Sequence, residues 1–377
     1  MKIAFISTFF TGATLPLMKH LCEKGHQTDL YLFCRQGIIG QEILTFDKAV
    51  KGANICKINN DNSVYSYLES STNIYITPYY LVKNRKYLIG FVSYFRNILI
   101  QNKLVSLLKE RKYDSIYVIV HEEHDAIFCK KLQNRGFHNV VVAYHEVVES
   151  HIENPKLKQC VKDTLKLGYP IVTYSQHTQK LLQKLSGIAD IHLTYFGAFE
   201  AYHFLDTSVQ MVKEPYILFI GCILPYKGLP FLYETIRKHF YNPSFKVVVA
   251  GSGEDQILNH IRNDNHFLLI NRYLSDKEFA NLIRYAKCII CPYVSGSQSG
   301  ITQSAMVYGT PVVATKVGAF SEFIEEGKNG YLVDYGDTEG MAEAITRLLD
   351  GQYTQGYIPD HLKWTSIVKC VVSLLKD

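Results

Sequence analysis

The sequence predicts an α/β protein of two doubly wound, Rossmann-like domains that face each other across a cleft. Two observations carry this prediction. Short apolar runs of strand length alternate with segments of helical period along nearly the whole chain, the signature of parallel βαβ units. That alternation lapses once, over residues 199–213, and restarts at Tyr216, which divides 377 residues into two units of ordinary domain size. The expected limits are 1–200 for the first domain, 206–356 for the second and 357–377 for a terminal helical segment.

In order, residues 2–7 form an apolar run that reads as the first strand. A small-residue loop at 8–14 follows, then the helical pattern Leu15, Met18, Leu21, Cys22. Gly25 and His26 close that helix, and 28–33 reads as the second strand. Further strands are expected at 115–120, 140–144 and 171–174, with helical segments between them. The second series places strands at 216–220 and at runs starting from Val247, Phe267, Cys288, Pro311 and Tyr331. Residues 337–349 have helical period through Met341, Ala344, Ile345, Leu348 and Leu349. Pro359 interrupts the chain before a last amphipathic helix at 362–375.

Composition narrows the function classes. Hydrophobic residues make up 47% and charged residues 20%, as in a globular chain with a core. No apolar run reaches the roughly 18–20 residues that span a bilayer. The opening MKIAFISTFFTG lacks a small-residue cleavage site and reads better as a strand with its loop. Nine cysteines scattered through apolar runs suit buried thiols in a reducing cytoplasm, Cys288 and Cys291 included despite their CxxC spacing. Charge is uneven: residues 1–195 carry 24 Lys and Arg against 16 Asp and Glu, a net of +8, and the remainder carries 16 against 19, a net of −3. A basic half suits an anionic surface.

The segment 292–333, PYVSGSQSGITQSAMVYGTPVVATKVGAFSEFIEEGKNGYLV, is the most informative. It reads as a strand end, a small-residue loop, a helix at 301–306 and a further strand at 311–315. Ser297, Ser299, Gly300 and Thr302 stand where the loop turns into the helix led by Ile301. Free backbone N–H groups and the positive end of the helix dipole suit a phosphate there. Three more motifs precede it: GCILPYKG at 221–228, VVVAGSG at 247–253 and INRYLSDKE at 270–278. In a doubly wound sheet all of these fall at carboxyl ends of strands, where ligands bind.

In this order and spacing, over residues 216–349, the chain resembles the C-terminal half of a GT-B glycosyltransferase of family 4. It is most similar to the subgroup whose loop reads SQSG and which serves bacterial capsule, exopolysaccharide and O-antigen assembly. The resemblance implies a retaining, metal-independent hexosyl transfer from a nucleoside-diphosphate sugar, with no further cofactor. It also implies that the last helix crosses back onto the first domain. Lys227 matches the family's cation on the diphosphate. The implied donor-binding set is Gly12, Gly221, Lys227, Gly251, Arg272, Tyr273, Leu274, Ser299, Gly300, Ile301, Thr302, Ser304 and Glu322, with base recognition at 272–274 and, for Glu322, a helix-start role as the alternative. His145, followed by Glu146 where the family reads His-Asp, is the implied catalytic residue of the acceptor side, with Lys227 beside it as the second catalytic residue. His151 matches a further family histidine, and His121 and His124 are weaker candidates.

Two positions depart from the family pattern. Cys222 stands where the turn usually supplies an arginine. Gly296 and Ser304 stand where two glutamates with seven residues between them usually contact the donor sugar and the ribose. The chain contains no Asp-x-Asp, the usual device for a metal-bound diphosphate, so no metal is expected. Residues 79–112 carry eight Lys and Arg against one Glu, interleaved with aromatic and aliphatic residues, and read either as a membrane-surface helix or as an ordinary helix with solvated charges. No nucleic-acid-binding pattern is present. The reading is therefore a cytoplasmic glycosyltransferase acting on a glycan, with a lipid-linked acceptor and a peripheral membrane contact as its finer expectations. The alternatives are a GT-B protein that binds nucleotide sugars without turnover and, third, a sugar-nucleotide 2-epimerase.

Overall fold

The computed structural model describes residues 1–8, 11–35, 54–57, 67–68, 72–79, 88–120, 123–144, 155–188, 190–296 and 299–376. Two sheets organise them. The first contains β1 (Lys2–Thr8), β2 (Gln27–Arg35), β3 (Cys56–Lys57), β4 (Thr72–Tyr79), β5 (Ser115–Val120), β6 (Val140–Tyr144), β7 (Ile171–Thr173) and β8 (His192–Leu193), in spatial order β3-β4-β2-β1-β5-β6-β7-β8. Every pairing is parallel except that of β3 with β4. Residues of β1, β5 and β6 are buried almost without interruption, as a parallel sheet covered on both faces requires.

Sequence periodicity did not predict β3, β4 or β8. The stretch TNIYITPY of β4 is broken by Pro78, which usually argues against an inner strand. Here β3 covers β4 only at Tyr75 and Ile76, so Pro78 lies beyond that pairing. The helices between these strands are α1 (Thr11–Glu23), α2 (Leu88–Arg111), α3 (Glu123–Asn134), α4 (Pro155–Leu165) and α5 (Gln176–Ser186). Helix α1 starts earlier than its periodicity suggests, and Gly12 lies in its first turn instead of at the end of the strand.

The second sheet contains β9 (Tyr216–Ile220), β10 (Lys246–Ala250), β11 (Phe267–Ile270), β12 (Ile289–Cys291), β13 (Val312–Thr315) and β14 (Gly330–Val333). Their order is β11-β10-β9-β12-β13-β14, all parallel. This is the doubly wound arrangement in which the order reverses between the first and fourth strands, here β9 and β12. Helices α6 (Leu229–His239), α7 (Leu258–Ile261), α8 (Asp276–Tyr285), α9 (Gly300–Tyr308), α10 (Phe320–Phe323) and α11 (Thr338–Leu349) complete the domain.

The last helix, α12 (Trp364–Leu374), lies against α1. Trp364, Ile367, Val368 and Val371 share one buried cluster with Leu15, Met18 and Leu21. Trp364 Nε1 donates to the Ala198 carbonyl at 3.0 Å, which fixes the returning chain to the crossing between domains. The same cluster takes in Met306, Val307, Ala319 and Phe323 of the second domain. Apolar burial is thus continuous from one domain to the other, and it sits beneath the cleft. Among the described residues, no helix is long and apolar enough to cross a membrane.

Candidate functional site

The site is built where the second sheet reverses. Strand β9 ends at Gly221, whose N–H donates to the Ala250 carbonyl at 3.0 Å. Opposite it, Gly251 has φ of +144°, and a Cβ there would lie 1.8 Å from the Gly221 carbonyl oxygen. Only glycine fits, so the ends of β9 and β10 are held close together. The chain then makes a short 3₁₀ turn, Pro225–Lys227, and leaves it at Gly228 with φ of +68°. A Cβ at Gly228 would meet the Pro292 carbonyl oxygen at 1.9 Å. That close approach brings Lys227 beside the loop that follows β12.

Two bonds join these loops. Val294 N–H donates to the Tyr226 carbonyl at 2.8 Å, and Lys227 Nζ donates to Tyr293 Oη at 2.6 Å. The Lys227 ammonium also lies 3.9 Å from the Tyr293 ring centroid and 5.2 Å from that of Tyr226. Tyr293 Oη is in turn 3.2 Å from Ser299 Oγ. Ser299 caps α9: its Oγ accepts from Ile301 N–H at 3.4 Å, and its carbonyl accepts from Thr302 Oγ1 at 3.0 Å. A cation, a phenol and a helix start therefore stand in a row. Burial pushes the Tyr293 hydroxyl well above its ordinary pKa, so it is a neutral phenol at any physiological pH.

The linker between domains packs against both helix starts. Phe199 N–H donates to the Gln303 carbonyl at 3.2 Å. Its ring is 3.5 Å from where a Cβ on Gly12 would stand and 3.2 Å from one on Gly300. Both helix starts, of α1 and α9, are thereby kept small where Phe199 passes between them. Gln303 is 1% exposed; one end of its amide meets Thr302 Oγ1 at 2.9 Å and the other end is buried without a partner among the described residues. A buried polar atom of that kind at a helix start is a natural place for a ligand to complete the bonding.

Of the residues singled out in the sequence, the structure gathers Gly221, Lys227, Gly251, Ser299, Gly300, Ile301 and Thr302 at this one point. Others it places elsewhere. Ser304 is 2% exposed, and its hydroxyl donates to the Gly300 carbonyl at 2.9 Å, so it is not presented to a ribose. Arg272 follows β11, two strands out from β9, and is paired bidentately with Glu278 at 2.8 and 2.5 Å. That guanidinium holds the Glu278 carboxyl down to about 2. Tyr273 is 73% exposed and Leu274 packs at the edge of a core cluster.

Glu322 takes the helix-start role that was one of its two readings. Its carboxylate accepts from the backbone N–H groups of Gln176 at 2.6 Å and His177 at 3.0 Å. Those are the first residues of α5 in the other domain, so Glu322 fills orphan donors at a helix start instead of meeting a ligand. Gly12 faces Phe199 from within α1. His124 packs edge-on against Phe33, at 4.4 Å between centroids, with its Nε2 buried, and desolvation lowers its pKa to about 4. His145, Glu146, His151, His121 and Ser297 lie outside the described residues. Among the described residues, no group of three or more His, Cys, Asp or Glu is placed to hold a metal.

Sequence reasoning missed Tyr293, Phe199 and Gln303. Tyr293 carried a usable signal, since it follows β12 at the strand end as Lys227 follows β9.

Residues 214–351 match the family described as glycosyl transferases group 1. The phosphatidyl-myo-inositol mannosyltransferase of Mycolicibacterium smegmatis is 30% identical over 148 residues, 38% of each chain. The chain spans about half the length of the curated relatives it matches, 46% and 45% for two glycosyltransferases of Methanocaldococcus jannaschii. Among solved structures, sucrose-phosphate synthase from Thermosynechococcus elongatus superposes with a TM-score of 0.64 at 14% identity, covering 100% of this chain and 94% of that one. Anabaena HepE, in complex with UDP and glucose, superposes with a TM-score of 0.59 at 15% identity, covering 100% and 97%. The fold is thus the two-domain GT-B fold.

Proposed function

We propose that the protein is a glycosyltransferase that draws a sugar from a nucleoside diphosphate and passes it to a glycan. One observation carries this reading: Lys227 is tied through Tyr293 to the capped start of α9, at the strand-order reversal of a group 1 domain. Breaking the glycosidic bond of such a donor develops negative charge on the leaving diphosphate. A fixed ammonium and a row of helix-start N–H groups are suited to stabilise that charge. The solved relative with UDP and glucose supports a uridine or similar nucleoside diphosphate as the donor's leaving group.

The finer reading is a retaining, metal-independent family 4 enzyme of surface polysaccharide synthesis, with a lipid-linked acceptor. Helix α2 supports a membrane contact, because Val92, Phe95 and Leu99 lie on one stripe and are 39%, 47% and 63% exposed. These residues belong to the strongly basic first half of the chain.

The test is turnover of UDP-, GDP- and ADP-sugars by purified protein with a membrane extract as acceptor source, in EDTA, with the anomeric configuration of the product read by NMR. Transfer with retention, undiminished by EDTA, is expected. Loss of turnover restored by Mg²⁺ or Mn²⁺ overturns the metal-free part. Ser304, buried where the family has an acid, favours one second reading, a nucleotide-sugar binder without turnover. Tight donor binding with neither transfer nor hydrolysis would decide for it.

A further inference from the structure

We infer that Tyr293 is the positioning residue of the diphosphate site: its phenol aims the Lys227 ammonium at the start of α9. The inference rests on the proposed diphosphate reading and adds a residue that no sequence motif singled out.

The argument begins with what holds the tyrosine. Its backbone carbonyl accepts from Thr315 Oγ1 at 2.7 Å, which ties it to the end of β13. Its ring meets Phe320 at 5.2 Å and Tyr226 at 6.2 Å, both near edge-on. The side chain is 3% exposed, so ring and hydroxyl have one available placement. A lysine, by contrast, has four rotatable bonds and no preferred direction of its own. In the turn after β9 it could extend into solvent, and its charge would then contribute little at the helix start.

Tyr293 removes that freedom in two ways. The phenol oxygen accepts from Nζ at 2.6 Å, and the ring face lies 3.9 Å from the same ammonium. Both attractions favour the charged form of the lysine and neither neutralises it, as a carboxylate would. The phenol has one proton. Ser299 Oγ, 3.2 Å away, and the Cys291 thiol are the phenol's other hydrogen-bond partners. Ser299 Oγ accepts from Ile301 N–H, so the same hydroxyl joins the phenol to the start of α9. The row thus presents a fixed ammonium beside the N–H groups that begin α9. All are donors, and their natural occupant is an anion with several oxygens.

The hydroxyl can be removed while the ring stays, so Tyr293→Phe is the informative variant. It keeps the ring, its edge-on contacts and the backbone bond. Titration calorimetry of the intact protein would use UDP, GDP and ADP as probes, each against its own nucleoside, with thermal denaturation run alongside. For whichever diphosphate the wild type binds, Tyr293→Phe should weaken affinity roughly five- to tenfold, the scale of one ordinary net hydrogen bond. Affinity for the matching nucleoside should not change. In a Lys227→Ala background the same change should have no further effect, because the phenol acts through the lysine. Equal diphosphate affinity in wild type and Tyr293→Phe would overturn the inference. So would an equal loss for the nucleoside, which would mark a general structural role, or a full loss persisting without Lys227. A wild type that binds no nucleoside diphosphate removes the functional reading itself, and this inference with it. Tyr293→Leu, which removes ring and hydroxyl together, gives the size of the purely structural effect for comparison.

Discussion

At Ser304 the hydroxyl donates to the Gly300 carbonyl four residues back, inside α9, with 2% of the residue exposed. A serine placed this way satisfies itself locally and has no need of a ligand. Ser304→Ala should therefore change nucleoside diphosphate affinity less than about twofold and stability by no more than about 1 kcal/mol. Calorimetry and urea denaturation check both, and a severalfold loss of affinity would return Ser304 to the ribose. Lys227 is the opposite case. Its residue type and motif were readable in the chain, yet its direction was not. The phenol that sets that direction comes from a segment 66 residues away. Residue identity announces which chemistry is available, while the partner across the fold decides whether it is used.

Among the elements, α2 shows how one helix can satisfy two masters. Ile100, Leu104, Val105 and Leu108 are buried in its own domain, as an ordinary amphipathic helix would have them. Val92, Phe95 and Leu99 are on the exposed side near its start, with Arg96 between them. Exposed apolar side chains with basic neighbours are the composition of a membrane-surface segment. Replacing Val92 and Leu99 by serine should lower co-sedimentation with vesicles containing anionic lipid, while leaving nucleoside diphosphate affinity unchanged. Each side chain withdrawn from lipid is worth about 1–2 kcal/mol of apolar transfer. Sedimentation equal in variant and wild type, or absent in both, would remove α2 from any membrane contact. The amphipathic character was legible in the sequence, as was the basic charge. Which apolar residues remain outside was not, because a helix has one periodicity for both faces and only packing chooses between them.

For the whole molecule, the crossing between domains is where stability and function meet. His20 of α1 lies between Glu23, with Nδ1 at 2.7 Å, and Glu200 of the linker, with Nε2 at 3.0 Å. Its ring stacks on Trp364 of α12 at 5.5 Å. Lys19, 3.9 Å from Glu23, and Tyr67, with the Lys19 ammonium 4.8 Å from its ring centroid, complete the charged surroundings. Burial lowers the His20 pKa, but the hydrogen bond to Glu200 and the charges of Glu200 and Glu23 outweigh it, and the net direction is upward from 6.5. A raised folded pKa adds stability that is fully present below about 6.5 and is lost as pH rises through the folded value. His20→Gln should therefore cost more stability at pH 6 than at pH 8, by less than about 1 kcal/mol, since solvent screens a part-exposed pair. Urea denaturation at the two pH values measures it, and a pH-independent cost would exclude the charge.

The sequence by itself determined the two doubly wound domains, the strand ends that carry the motifs and the helix start built from Ser299, Gly300 and Thr302. These depend on apolar period, turn residues and helix caps, which act over a few neighbours and are written in order along the chain. Tertiary structure alone decided that Glu322 closes α5 of the other domain, that Arg272 is spent on Glu278, and that Tyr293 stands between Lys227 and Ser299. Such pairings join segments as much as 146 residues apart. A side chain's reach is a few ångströms, so which of several chemically suitable partners it meets is fixed by how sheets and helices pack, and no local pattern records that.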